Sequence, residues 1–138
     1  MSDERFVAQE GGDHYQSDYQ HWSWVTDIGM TYLPATATKY LTRWRKKNGL
    51  QDLMKAQTYL EKLILDWDTV FQFTVEPPEA IDEMNARFIK SNGLNYNSLE
   101  ARTCFLLSDL GDSNGMFRIV EAKSLLSELI AEAQGSAS

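Results

Sequence analysis

The sequence predicts an all-α fold of about six helices. Apolar residues recur at spacings of three and four over most of the chain, and no segment shows the alternation typical of a strand. The chain also resembles itself when it is shifted by 66 residues. We therefore expect two tandem three-helix units with a helical-hairpin core, packed within one domain of 138 residues.

Composition places the chain among ordinary globular proteins, with 43% hydrophobic and 24% charged residues. The single cysteine, Cys104, excludes an intramolecular disulfide and a cysteine-rich zinc site, and it lies in an apolar run that predicts a buried thiol. Neither a signal sequence nor an apolar segment of about 18 residues is present. These features indicate a cytoplasmic protein without a membrane partner.

The first half of the chain opens with a polar segment, residues 1–13, that we expect to be flexible. A short aromatic helix from Trp22 to Ile28 should end at Gly29. Pro34 suits the first position of the next helix, which we expect to reach Lys47.

The Asn48-Gly49 turn precedes the most regular helix of the sequence. Its apolar face is formed by Leu53, Ala56, Leu60, Leu63, Ile64, Trp67 and Phe71. The prolines of Glu76-Pro77-Pro78-Glu79 should end this helix, because proline cannot continue the backbone hydrogen bonds.

Three shorter patterns complete the chain. A helix should run from Ile81 to Asn92-Gly93. Asn97 with Glu100 predicts a capping box for a helix that reaches Leu110. The last helix should span Met116 to Ala133, and residues 134–138 should form a disordered tail.

The internal similarity aligns residues 35–64 with residues 101–130 and divides the chain into units 14–75 and 76–133. The identical pairs are Ala35/Ala101, Leu41/Leu107, Asn48/Asn114, Gly49/Gly115, Ala56/Ala122, Leu60/Leu126, Leu63/Leu129 and Ile64/Ile130. Two unrelated amphipathic hairpins would also share leucines at a freely chosen offset, so the shared Asn-Gly turn is the more specific signal. The cluster Lys39, Arg43, Arg45, Lys46 and Lys47 has no basic counterparts in the second copy, where Phe105, Asp109, Gly111, Asp112 and Ser113 occupy these positions.

Positive charge is concentrated in an otherwise acidic protein. Five of the 13 basic residues fall within nine positions, namely Lys39, Arg43, Arg45, Lys46 and Lys47, whereas the net charge is -7. An acidic body repels extended nucleic acid, so a small or local anion is the expected partner. The helix dipole explains the last three cations, which lie near the predicted helix end.

Lys39 and Arg43 lie one turn apart and invite two interpretations. They bind a phosphate or carboxylate group, or they form ion pairs with Asp52 or Asp66 on the following helix. On that helix, Lys55 and Tyr59 either complete the pocket or belong to a solvated face.

The aromatic opening segment contains His14, Tyr15 and Trp22. These residues either stack on a nucleotide base or pack into the hydrophobic core. His14 has no second His or Cys at ligand spacing, which disfavours a metal site there.

No recognised phosphate loop is present: the chain lacks GxxxxGK(S/T) and GxGxxG, and it also lacks GxSxG and HExxH. Ordinary P-loop nucleotide chemistry is therefore excluded. Phosphoryl transfer would depend on side-chain cations and on a metal held by carboxylates.

Three segments resemble a family of small tailed-phage proteins that are often described as nucleotide kinases. They are His14-Tyr15, the run Lys39-Tyr40-Leu41-Thr42-Arg43 followed by the turn at Lys47-Asn48-Gly49, and residues 52–64, which read DLMKAQTYLEKLI. The match covers about the first half of the chain. It implies an all-helical site that includes His14, Tyr15, Lys39, Arg43, Asp52, Lys55 and Tyr59.

The resemblance implies a deoxynucleoside monophosphate kinase without a P-loop, using ATP and Mg²⁺ in the cytoplasm of an infected host cell. Lys39 and Arg43 would neutralise the transferring phosphates, and Asp52 would help to hold the metal. Tyr15 or Trp22 would stack on the base.

Two other hypotheses stay open at this stage. The protein is a non-catalytic phage effector that binds a host protein or sequesters a host nucleotide signal, or it is a structural homo-oligomer assembled through its hairpins.

Overall fold

Seven α-helices and no strand make up residues 19–136, the part of the chain that this computed structural model describes. The predicted all-α class is confirmed. The predicted flexible segment 1–13 lies outside the described residues. The helices are α1 (His21–Ile28), α2 (Tyr32–Arg43), α3 (Leu50–Leu65), α4 (Trp67–Phe73), α5 (Ile81–Ser91), α6 (Leu99–Leu107) and α7 (Gly115–Ser136).

The second helix ends earlier than the sequence predicted. It begins two residues before Pro34, which lies within the first turn, and it ends at Arg43 instead of Lys47. The chain then turns, with the Gly49 N–H donating to the Trp44 carbonyl and with Gly49 at φ 58. The side chain of Trp44 is buried and binds a distant carboxylate, so a tertiary contact accompanies the end of the helix.

The prediction of one long helix that reaches the prolines is also wrong, because this segment forms two helices. α3 ends at Leu65, and α4 begins at Trp67 after Asp66, whose backbone leaves the helical region. The reoriented Trp67 ring lies directly against Gly115 at the start of α7, where a Cβ atom would collide with the indole. The interruption therefore lets the chain pack against the second hairpin.

Two predicted boundaries in the second half are corrected by the backbone. The residue that caps α6 is Ser98, not Asn97: its hydroxyl oxygen accepts from the Ala101 N–H at 3.1 Å. α6 ends at Leu107 instead of Leu110, and α7 continues to Ser136. Residues 134–136 therefore do not belong to a disordered tail, and residues 137–138 lie outside the described part.

The core lies between two helical hairpins. α2 packs on α3, α6 packs on α7, and the hairpins meet mainly through α3 and α7. α1 and α5 add an aromatic layer, in which the rings of Trp24 and Phe88 stack at 4.2 Å and 4°. Cys104 is buried in this core, and burial raises the pKa of its thiol. No helix within residues 19–136 has the length and apolarity that a bilayer crossing requires.

Residues that the internal similarity pairs have matching environments. The fully buried pairs include Leu41/Leu107, Leu53/Ile119, Ala56/Ala122, Leu60/Leu126 and Leu63/Leu129. Gly29 directly follows α1 with a φ of 78°, and Gly93, two residues after the end of α5, has a φ of 68°. Each helix also contacts its counterpart, α1 with α5, α2 with α6 and α3 with α7. These correspondences support the division into units 14–75 and 76–133, which stays a prediction.

Candidate anion-binding site

Arg43 at the end of α2 forms an ion pair with Asp52 in the first turn of α3. Arg43 Nε lies 3.4 Å from Asp52 Oδ2, and Nη2 lies 3.5 Å from Oδ1. The Asp52 side chain is fully buried, whereas that of Arg43 is 27% exposed. Asp52 is therefore the partner of Arg43. Asp66, the other carboxylate considered, pairs with Lys62 at 3.2 Å.

The carboxylate of Asp52 also holds the hairpin turn. It accepts hydrogen bonds from the backbone N–H of Asn48 at 3.2 Å and from the Asn48 amide at 3.5 Å. Within residues 19–136, no group of three His, Cys, Asp or Glu side chains is placed to hold a metal ion. Asp52 is therefore positioned to orient Arg43 and the turn, with no exposed surface to offer to a metal.

Tyr40 lies between two cations of the hairpin. The Arg43 guanidinium carbon is 4.6 Å from the Tyr40 ring centroid, and Lys55 Nζ is 5.2 Å from it. Both distances fall within the range of cation–π attraction. Tyr40 thus connects the last turn of α2 with the first half of α3.

A row of tyrosine rings extends from this point. Tyr40 stacks on Tyr59 with centroids 6.0 Å apart, and the edge of Tyr32 meets Tyr59 at 6.1 Å. A hydrogen bond with the Tyr32 hydroxyl is the main reason that the pKa of Tyr59 is raised. We call Tyr32, Tyr40, Arg43, Lys55 and Tyr59 the aromatic–cationic face.

Lys39 is exposed on α2 and, among residues 19–136, has no carboxylate at ion-pair distance. Its charge acts on His21 of α1. Burial and then the Lys39 charge lower the pKa of His21, a hydrogen bond with the Ala35 backbone opposes both, and the resulting pKa is about 4. The neutral imidazole lies with Nε2 2.9 Å from Thr38 Oγ1 and so attaches α1 to α2.

Arg45, one of the three cations after Arg43, binds two carboxylates of the second hairpin, a role that the helix dipole did not suggest. Arg45 donates to Glu100 at 3.0 Å and to Glu132 at 3.2 Å. Glu100 is buried and also accepts from the Trp44 indole at 3.0 Å. These contacts join the end of α2 to the second hairpin. Because α2 ends at Arg43, Lys46 does not continue the helical face of Lys39 and Arg43.

The structure therefore brings together four of the eight predicted site residues: Arg43, Asp52, Lys55 and Tyr59. Lys39 lies on the same hairpin, and Trp22 is 46% exposed on α1. His14 and Tyr15 lie outside the described residues.

Sequence reasoning missed Tyr32 and Tyr40 as members of the site. The available signal was their separation of eight residues, which places both on one face of α2. It also missed a cavity of about 260 Å³ that α5, α6 and the start of α7 enclose.

Comparison with protein-family models, with curated proteins and with solved structures gives no match for this chain. What the site does must be argued from its own chemistry. It offers aromatic ring faces beside positively charged groups, and that combination suits an anion that carries a flat ring.

Proposed function

We propose that this protein binds a nucleotide or a related phosphorylated small molecule on the aromatic–cationic face. The observation that carries the proposal is the Tyr40 ring, which has Arg43 and Lys55 within cation–π distance and Tyr59 stacked against it. Two of the three segments that resemble the tailed-phage family, within residues 39–49 and 52–64, belong to the same hairpin.

The charge of this surface favours a phosphate group. On this face Arg43 and Lys55 supply two positive charges against the single negative charge of Asp52, and the exposed Lys39 adds a third positive charge on the same hairpin. Phosphate oxygens accept short, charge-assisted hydrogen bonds from guanidinium and ammonium groups. The net charge of -7 over the whole chain disfavours long polyanions, so the ligand should be small.

Among the described residues, one buried donor at this site, Arg43 Nε, makes an ion pair but no hydrogen bond. Its contact to Asp52 at 3.4 Å has only the distance of an ion pair. Buried donors are normally satisfied by protein, water or ligand. An anion bound beside Tyr40 would provide an acceptor near this group.

The sharper form of the proposal is a deoxynucleoside monophosphate kinase without a P-loop, requiring ATP and Mg²⁺. Because Asp52 is buried, the metal would be held by the nucleotide phosphates and by water. Incubation of the protein with ATP, Mg²⁺ and each deoxynucleoside monophosphate should then yield the diphosphate. Binding of the monophosphate without turnover would leave a nucleotide-binding protein and exclude the kinase.

A second candidate function is a non-catalytic effector that binds a host protein. Large apolar side chains are exposed on and after α4, with Phe73 70% and Val75 57% accessible. Apolar patches of this kind mark interaction surfaces. A host protein that stays bound to the purified chain through high salt would favour this function.

A thermal-shift series with a matched charge control tests the binding proposal. Lys55→Gln removes a cation beside Tyr40, whereas Lys62→Gln removes one from the same helix at its pair with Asp66. A ligand present at 100 times its Kd stabilises by about 2.7 kcal/mol. We expect deoxynucleoside monophosphates to stabilise the wild-type chain and Lys62→Gln, and to stabilise Lys55→Gln less.

Arg43→Ala is a poor probe of binding, because it leaves the buried Asp52 carboxylate without its cation. Arg43→Lys retains the charge and tests the geometry of the guanidinium. Equal ligand-induced shifts in Lys55→Gln and Lys62→Gln would contradict the location of the site.

A further inference from the structure

The cavity between α5, α6 and α7 lies outside the aromatic–cationic face and has a volume of about 260 Å³. Its charged lining residues are Asp82, Asp109 and Arg118, and its aromatic lining residues are Tyr96 and Phe105. The volume lies just below the usual range of about 300–1,000 Å³ for ligand pockets, which suits a small molecule of about ten non-hydrogen atoms.

The internal similarity relates this cavity to the aromatic–cationic face. At the offset of 66, Asp109 corresponds to Arg43 and Arg118 corresponds to Asp52. Upstream, where the second copy has two additional residues, Tyr96 corresponds to Tyr32. Three residues of the cavity lining are therefore counterparts of Tyr32 and of the Arg43–Asp52 pair in the first unit, and the charge at the corresponding ion pair is inverted.

Arg118 is neutralised by its own neighbours. Its Nη1 lies 3.5 Å from Asp109 Oδ2, and its Nη2 lies 3.8 Å from Asp112 Oδ2. Asp82, by contrast, has no ion-pair partner among residues 19–136. The lining of the cavity consequently has one carboxylate in excess of its single cation.

Two aromatic rings stand beside this excess charge. Tyr96 and Phe105 lie with centroids 5.0 Å apart and planes at 48°, and the Tyr96 side chain is largely exposed. Ring faces attract cations within about 6 Å. The inner wall is completed by Asn85 and Ser108, which are buried and hydrogen-bonded to each other at 2.9 Å.

We propose that this cavity binds a small organic cation, an ammonium group attached to a flat or aliphatic body. The ammonium group would lie at the Asp82 carboxylate, and the body would lie against the Tyr96 and Phe105 rings, which contact each other. The proposal rests on the cavity, its charge and its rings, and it does not depend on a nucleotide at the aromatic–cationic face.

The test is a titration of the full chain, followed through the ring resonances of Tyr96 and Phe105. The probe is phenethylamine, and the sign controls are phenylpropionate, which replaces the ammonium by a carboxylate, and phenylethanol, which is neutral. We expect saturable shifts at both rings with phenethylamine at about 10 mM or below, and at least about five-fold weaker binding of the other two. Equal or tighter binding of phenylpropionate, or no saturable shift with phenethylamine, would overturn the proposal.

A pair of neighbouring variants locates the carboxylate. Asp82 and Glu83 are both exposed acidic residues in the first turn of α5, but only Asp82 lines the cavity. Asp82→Asn should weaken phenethylamine binding about five-fold or more, and Glu83→Gln less than about two-fold. Equal effects of the two substitutions would show that only the general charge of the protein attracts the probe, and would reject the cavity as the site.

Discussion

The two hairpins of this protein share their interior and differ at their surface. Leu41, Ala56, Leu60 and Leu63 of α2–α3 recur at the corresponding positions of α6–α7 and are buried in both. The ion pair at the turn also recurs, but its polarity is reversed, from Arg43–Asp52 to Asp109–Arg118. An ion pair at this position connects the first helix of the hairpin with the second, whichever helix bears the positive charge.

The residues around the ion pair distinguish the two hairpins. At the offset of 66, Tyr40 corresponds to Leu106, and Lys55 corresponds to Glu121. The first hairpin therefore has a half-buried ring and a half-buried cation where the second has an aliphatic side chain and an acid. This difference implies that the ion pair serves the structure, whereas its neighbours determine what each hairpin binds.

The largest expected effect compares the two ion pairs directly. Arg43→Ala should lower the free energy of unfolding by about 2–4 kcal/mol, because the fully buried Asp52 loses its counter-ion. Asp109→Ala should cost less than about 1 kcal/mol, because both partners of that pair are about one-third exposed. Urea unfolding at neutral pH measures both.

Adding Asp52→Asn to Arg43→Ala provides the control, since it removes the unpaired charge and should recover part of the loss. Similar losses for Arg43→Ala and Asp109→Ala would show that burial does not separate the two pairs.

The next effect is a pH dependence of the free energy of unfolding that arises from His21 in the first unit. The folded-state pKa of His21 is about 4, below its ordinary value of 6.5, so the unfolded chain binds more protons between these values. His21 should therefore destabilise the fold by up to about 3 kcal/mol as the pH falls from about 6.5 to about 4. At the upstream offset of 64, the counterpart is Asn85, which does not titrate.

Urea unfolding of wild type and His21→Gln at pH 7 and at pH 4.5 measures this contribution. Both proteins contain the same carboxyl groups, so the difference between them reports His21. The wild type should lose more stability than His21→Gln over this interval. Parallel pH profiles would exclude His21 as the responsible group.

A smaller effect on stability is expected at the contact between the two hairpins. The Trp44 indole donates to the buried Glu100, whereas Leu110, its counterpart in the second unit, has no side-chain donor. Trp44→Phe should cost about 1–2 kcal/mol of unfolding free energy, because Glu100 loses one hydrogen bond and retains that from Arg45. A thermal unfolding series checks this value, and an unchanged midpoint would show that the bond is not formed in solution.

The smallest effect on stability should accompany a clear effect on binding. Tyr40→Leu gives the first hairpin the residue found in the second, and we expect a stability change below about 1 kcal/mol for this half-buried side chain. Nucleotide affinity should fall about five- to ten-fold, because the ring that stacks and contacts both cations is lost. Calorimetric titration of the two proteins with the same nucleotide makes the comparison, and equal affinity would remove Tyr40 from the site.

The helices were predictable because their apolar period follows directly from burial, and that period survives in both hairpins. Their ends were less predictable, since distant contacts accompany them. α2 ends where Trp44 meets Glu100, and the interruption at Asp66 lets Trp67 pack beside Gly115. No local breaker marks either position in the sequence.

The candidate site was predictable to a similar degree. Helical spacing placed Arg43, Lys55 and Tyr59 on one hairpin, but it left the partner of Arg43 open between a ligand and a carboxylate. The choice depended on the burial of Asp52 at the turn, which spacing alone does not determine. Tyr40 was overlooked because its role arises from contacts across two helices.

The most direct measurement is a titration of the full chain with deoxynucleoside monophosphates, followed through the tyrosine ring resonances. Binding at the aromatic–cationic face predicts saturable shifts at Tyr40 and Tyr59, with the resonances of Tyr96 in the second unit unchanged. Shifts confined to Tyr96, or the absence of any saturable change, would contradict the assignment of the ligand site to the first hairpin.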